Sequence, residues 1–280
     1  MTHSWYTVAG EGASAGRQRR PCDHDMKQSF RSFIQRRWVK ITVDLLMTLS
    51  LFLVMSGKTA GETIHEWAGI AAVVFFLLHQ LMNLSWYRTV FRKKQSMHRI
   101  VLTGVNLLLI SFFVLTAVCG MSVSTHAVPF LYGMLNTARA HRMHLCLSRW
   151  TFLFAGIHLG MHVPGILPKK WRSGTRETVL LLCAAVLSGV GLWLASRNDF
   201  WSYLLFRPPV VSARSGIPFI PAFLEQILIF IPGVFLGEQV TEFLRILKRG
   251  DREKGMLRFF SAILAAAVWI VLLLLDPFLL

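Results

Sequence analysis

The sequence predicts an all-α membrane protein: a four-helix bundle followed by about three further transmembrane helices. Three observations lead there. Of its 280 residues 54% are hydrophobic, and they gather in long runs nearly free of charge, each close to the ~20 residues that a membrane helix needs. Basic residues fall in the gaps between the runs. Lipid satisfies no backbone polar group, so such runs are read as helices.

The chain opens with a polar, basic segment, 1–38, that lacks the apolar core of a signal peptide. It is expected to be a largely disordered cytoplasmic tail. Spans follow at about 39–57, 64–86, 100–122, 141–163, 178–196, 222–245 and 257–276. Residues 39–163 are expected to form the four-helix bundle and 164–280 to add three helices. Of the 30 Lys and Arg, 23 lie in the first 40 residues and in segments 88–99, 168–176 and 245–258, all on one side. The positive-inside rule then places the N-terminus in the cytoplasm and the C-terminus outside. The formal charge of +16 is used up by these loops. No separate basic domain is left for nucleic acid.

The spans differ in what they carry. Span one ends at Gly57 and span three at Gly120, both at the outer edge, where a bulky side chain would obstruct a flat ligand. Span two runs from His65 to His79 and span four from His144 to His158, the same fourteen-residue spacing twice. Spans five to seven contain no histidine. Span six has Pro232-Gly233, then Glu238, Glu242 and Arg245 on its inner half, expected to exchange ion pairs or pass protons. Asp44 in span one has the same two readings. Arg149 is the only basic residue well inside a span. Its helical angle turns it away from the histidines, toward Glu225 or Glu238.

Fourteen residues make about four helical turns, so the two histidines of a pair face nearly the same way, about 21 Å apart along the axis. Spans two and four run in the same direction, so His65 and His144 share an outer layer and His79 and His158 an inner one. Two imidazoles across a bundle are what six-coordinate haem iron takes as axial ligands. A tetrahedral zinc needs further ligands at each depth. The four cysteines form no CxxC or CxxCH, which excludes covalent haem attachment and the usual thiolate zinc spacing. A lone intramembrane histidine can simply bond across helices, but that leaves the repeated spacing unexplained. The reading is two stacked, non-covalent b-type haems whose irons are ligated by His65, His79, His144 and His158, with Gly57 and Gly120 packing on them. His162, one turn beyond His158, is an alternative inner ligand or part of a quinone site. Lys58 and Arg142 are placed to meet haem propionates. His98 is read as a solvated interfacial or a proton-handling residue, and His126 and His141 as structural or solvated.

The stretches "ITVDLLMTLSLFLVMSG", "HEWAGIAAVVFFLLHQLMN" and "HLCLSRWTFLFAGIHLGMH" resemble the flavinylation-associated cytochrome family (domain of unknown function 4405), among the bacterial di-haem b-type cytochromes. The HEWAG opening and the H-x-G-x-H ending of span four carry the likeness. It covers about residues 39–163 and extends only loosely over the later helices. The resemblance implies electron transfer across the inner membrane, between the quinone pool and an extracytoplasmic redox protein that can be covalently flavinylated. It also implies the same four histidines as haem ligands. The chain is then a cytochrome subunit of an oxidoreductase rather than a complete enzyme. Two rivals remain. A histidine-dependent metal or proton transporter predicts broken helices and carboxylates beside the histidines; a non-redox membrane scaffold predicts no histidine order at all.

Overall fold

A computed structural model describes residues 37–90, 96–207, 217–249 and 252–276. Among these the structure is helical, with no strand. The tail expected to be disordered lies, up to residue 36, outside the described residues. The chain divides into two units, Met1–Thr42 and Val43–Leu280. Of the first only the start of one helix is described; the second holds all the other elements.

The helices are α1 (Arg37–Met55), α2 (Glu62–Met82), α3 (Leu84–Val90), α4 (Met97–Ser122), α5 (Thr137–Ile166), α6 (Gly174–Arg197), α7 (Phe200–Leu204), α8 (Phe219–Arg249) and α9 (Arg252–Leu275). Local chemistry sets several of their ends. The α1–α2 connection needs left-handed backbone at Gly57 (φ 67°) and Gly61 (φ 98°), which glycine adopts without a Cβ penalty. Span two breaks at Asn83, whose side-chain amide donates to the His79 carbonyl at 2.8 Å. Ser96 caps α4 by accepting from the Arg99 N–H. Asn136 caps α5 by accepting from the Arg139 N–H at 3.1 Å.

Among the described residues six helices, α1, α2, α4, α6, α8 and α9, are long and apolar enough to cross a membrane. The chain is a multi-pass membrane protein, and large apolar side chains such as Leu81, Ile100, Val179 and Leu274 are exposed to lipid. The seventh long helix, α5, is different in kind. Its 30 residues are ample for a span, but its histidines and Arg149 dilute its hydropathy. It tolerates them because it sits among other helices. It packs along α4 on one side and α8 on the other, with α7 near its start.

Glycine makes the α5–α8 seam. A Cβ on Gly160 would stand 2.0 Å from the Val234 carbonyl oxygen, and one on Gly237 2.1 Å from that of Ile157. Gly156 and Gly233 abut in the same seam. These are two G-x3-G pairs face to face, the small-residue packing by which membrane helices approach closely. On α6, Gly191 meets the Leu228 carbonyl of α8, and Gly189 meets Ala265 and Val268 of α9. Pro232 lies inside α8, yet the helix runs unbroken from Phe219 to Arg249.

Rings close the core at one end. Phe52 of α1 meets Phe152 of α5 edge-on at 6.1 Å and Phe230 of α8 at 5.2 Å. Leu194, Ala195, Phe200 and Leu204 complete that cluster. At the other end, charges expected to sit at a polar helix terminus do so with arginines. Glu242 pairs with Arg172 at 2.9 Å and with Arg245. Glu238 pairs with Arg258 at 3.1 Å.

Candidate functional site

Between α1, α2, α4 and α5 lies a cavity of about 580 Å³, within the ~300–1,000 Å³ of small-molecule and cofactor pockets. Its walls are mostly apolar: Leu51, Val54 and Met55 from α1, Ile70 and Val73 from α2, Phe113 and Ala117 from α4. His65 and His144 both face it, as do Gly57 and Gly120. One turn farther along α2, Phe76 stacks on Phe113 with centroids 4.2 Å apart.

The two histidine rings stand with centroids 6.1 Å apart and planes at 86°. A metal shared by the two rings would lie about 2.0 Å from a nitrogen of each, and a 6.1 Å centroid separation leaves room for that. His144 is oriented by its Nδ1–H, which donates to the Thr116 carbonyl at 3.0 Å and leaves Nε2 as the nitrogen with the lone pair. Gly120 makes room for this ring. A Cβ there would lie 2.9 Å from Cε1 and 3.0 Å from Nδ1 of His144. Around Gly57 the ideal Cβ position is open space.

At the opposite end of the bundle, His79 and His158 are held in the same manner. The His79 Nδ1–H donates to the Asp44 carboxylate at 2.7 Å, and the His158 Nδ1–H to the Asn106 amide oxygen at 2.7 Å. An Asn83 amide N–H lies 3.4 Å from His79 Nε2, the acceptor side of that ring. Three of the four histidines therefore have Nδ1 tied to an oxygen and keep the lone pair on Nε2, which in His79 faces the Asn83 amide. Metal-ligating histidines are characteristically held this way. His79 and His158 make no ring contact with each other; the ring beside His158 is His162, at 4.8 Å. The first pair is drawn together, whereas the second is oriented but not joined. His162 is where its helical offset places it.

Among the described residues, no three His, Cys, Asp or Glu side chains converge to hold a metal ion. The outer layer thus brings two imidazoles together, with no third His, Cys, Asp or Glu among the described residues to join them on a metal. That donor set suits a macrocycle bringing its own four nitrogens.

Other expectations change. Asp44 is the orienting partner of His79, rather than an ion-pair partner of lysines. Arg149 does not reach Glu225 or Glu238. Glu238 is taken by Arg258, and Glu225 accepts from Asn198 at 3.4 Å. Arg149 instead lines the cavity. A helical angle places its Cβ, but side chains on a helix lean back toward its N-terminus, and this one leans to Met55 and Tyr203. Arg142 gives its guanidinium to the Phe206 carbonyl at 2.8 Å, and the Lys58 side chain lies outside the described residues. His98 approaches Thr241 of α8 at 3.5 Å. His141 is exposed at the cavity edge.

The loop after α4 is tied across the cavity by Glu66. Its carboxylate accepts from the Ser124 hydroxyl at 2.7 Å and from the backbone N–H groups of Thr125, His126 and Ala127 at 3.1, 2.7 and 2.8 Å. Glu66 is the second residue of the HEWAG opening, but nothing in the sequence signals the loop that it binds, and nothing signals Asn106. Comparison with protein-family models, with curated proteins and with solved structures found no match.

Proposed function

We propose that the chain is a di-haem b-type cytochrome of the bacterial inner membrane. It passes electrons between the quinone pool and an extracytoplasmic redox partner, as a subunit of an oxidoreductase. The observation that carries this reading is the His65–His144 pair, 6.1 Å apart across a cavity that four helices line. His79 and His158 would hold the second group. Haem iron, when bound, supplies a one-electron couple at each layer. The residues of the chain position it: Thr116, Asp44 and Asn106 fix the imidazole tautomers, and apolar walls keep water from the first site. A partner bearing covalent flavin follows from the family resemblance, as does the electron path toward it. The basic loops support a cytoplasmic N-terminus and an outer C-terminus. The unbroken run of α8 through Pro232 supports the cytochrome over a transporter built on a broken helix there.

The test is a reduced-minus-oxidised spectrum of the purified chain, with haem counted as pyridine haemochrome. The expected result is about two b haems per chain, falling in His65→Ala and His158→Ala. Well-folded protein, made with ample haem and still colourless, would overturn the cytochrome and favour transport.

A further inference from the structure

Arg149 sits among groups that do not satisfy a cation. Its Nε is buried without a hydrogen-bond partner. One terminal nitrogen lies 3.7 Å from the Met55 sulfur, a weak acceptor. The guanidinium carbon stands 5.2 Å over the Tyr203 ring and 6.0 Å from that of Phe200. Among the described residues, no carboxylate comes within the 4.0 Å of an ion pair. The nearby Glu66 is saturated by the loop it ties. Arginine stays charged at any physiological pH, and its planar fork of N–H donors matches a carboxylate. An intramembrane charge of this sort lacks a counter-ion that only the cavity it lines can supply.

We propose that Arg149 anchors a carboxylate carried by the occupant of this cavity: a propionate of the porphyrin that His65 and His144 ligate. The proposal rests on the haem reading of the cavity. Arg149 stands five residues beyond His144 on α5, and its side chain leans back along the helix toward that histidine's level. The aromatic faces of Tyr203 and Phe200 hold the guanidinium in place. Arg142, already bonded to a backbone carbonyl at the surface, is not the anchor.

The experiment loads haem-depleted full-length chain in detergent with either haem or haem dimethyl ester, whose propionates carry no charge. Wild type is expected to favour haem over the diester by about 10–100-fold, the worth of a charge-assisted hydrogen bond. Arg149→Gln should lower haem affinity by that factor and leave the diester unchanged. Arg149→Lys should retain part of the preference, and Arg142→Gln all of it. Replacing the cation should also lower the midpoint potential of the haem at His65 and His144, because a nearby positive charge favours the ferrous state. Equal binding of haem and diester by wild type overturns the proposal without any variant, and so does an unchanged preference in Arg149→Gln. In either case Arg149 answers another anion, such as a lipid phosphate. Folded protein that binds neither porphyrin defeats the haem reading itself, and this proposal with it.

Discussion

Gly120→Ala is the smallest change that reaches the first histidine pair. The added methyl would stand 2.9 Å from Cε1 and 3.0 Å from Nδ1 of His144, where relaxed carbon contacts need about 3.5–4.0 Å. The ring must therefore retreat from α4 by about 0.5–1 Å. Thr116, one turn before Gly120 on the same helix, holds that ring at 3.0 Å. Retreat from Gly120 is thus retreat from the Thr116 carbonyl, and the Nδ1 bond stretches out of range. The folded state loses about 0.5–1.5 kcal/mol for the bond and about 1–3 kcal/mol for overpacking. Loss of an orienting partner weakens metal binding by about 10–100-fold. On the di-haem reading, haem titration of the depleted variant should show that loss at one of two sites, the other keeping wild-type affinity. Gly104→Ala is the control, on the same helix with open space around its Cβ position, and should behave as wild type. If Gly120→Ala binds both haems with unchanged affinity, the imidazole at 144 is not a ligand held by this wall.

Three further outcomes follow from the same contacts. Asp44→Ala and Asn106→Leu each remove the oxygen that orients a histidine of the second layer, and should weaken that site about 10–100-fold while sparing the first, as read by site-resolved redox titration. Glu66→Ala leaves three loop N–H groups without their acceptor. At about 1.5–3 kcal/mol for a hydrogen bond to a charged group, reduced for its half-open setting, segment 123–136 should be cut faster in limited proteolysis, with the helices intact. Gly237→Ala drives a methyl to 2.1 Å from the Ile157 carbonyl. Overpacking of about 1–3 kcal/mol or more should lower the thermal unfolding midpoint of the detergent-solubilised protein, and unchanged stability would mean that α5 and α8 do not meet here.

The helices are legible in the sequence because lipid leaves them no alternative: an apolar run has one backbone solution, and the basic gaps mark its ends. The His65–His144 meeting is legible because equal spacing on parallel helices fixes depth and face together, yet the same spacing does not bring the rings of His79 and His158 into contact. The partners of Nδ1 are not legible. Asp44 and Asn106 sit on other helices, and whether an oxygen falls opposite a given imidazole depends on the rotation of one helix against its neighbour. Arg149 escapes an angular argument for a related reason, since a helical angle locates a Cβ and a long side chain ends elsewhere. The G-x3-G pairs at Gly156–Gly160 and Gly233–Gly237 stand plainly in the sequence, and two such pairs on neighbouring spans are reason enough to seat α5 on α8.

Those glycines also bear on what the last three long helices do. In α5, Gly156 and Gly160 lie roughly 120–160° around the axis from His144 and His158. One face of the helix thus presents imidazoles, while the other opens to bare backbone at Gly156 and Gly160. A helix with two histidines, a buried arginine and a naked glycine stripe is poorly suited to lipid. It needs a protein surface, and α8 gives it one at backbone contact, braced in turn by α6 and α9. On the di-haem reading this rigid backing is what keeps His144 and His158 in register while α1 and α2 close the cavity from the other side. It predicts that loosening the seam by Gly237→Ala should disturb ligand binding at both layers together, whereas Gly120→Ala disturbs one. A change at Gly237 that lowers stability yet leaves both sites at full affinity would separate the buttress from the site.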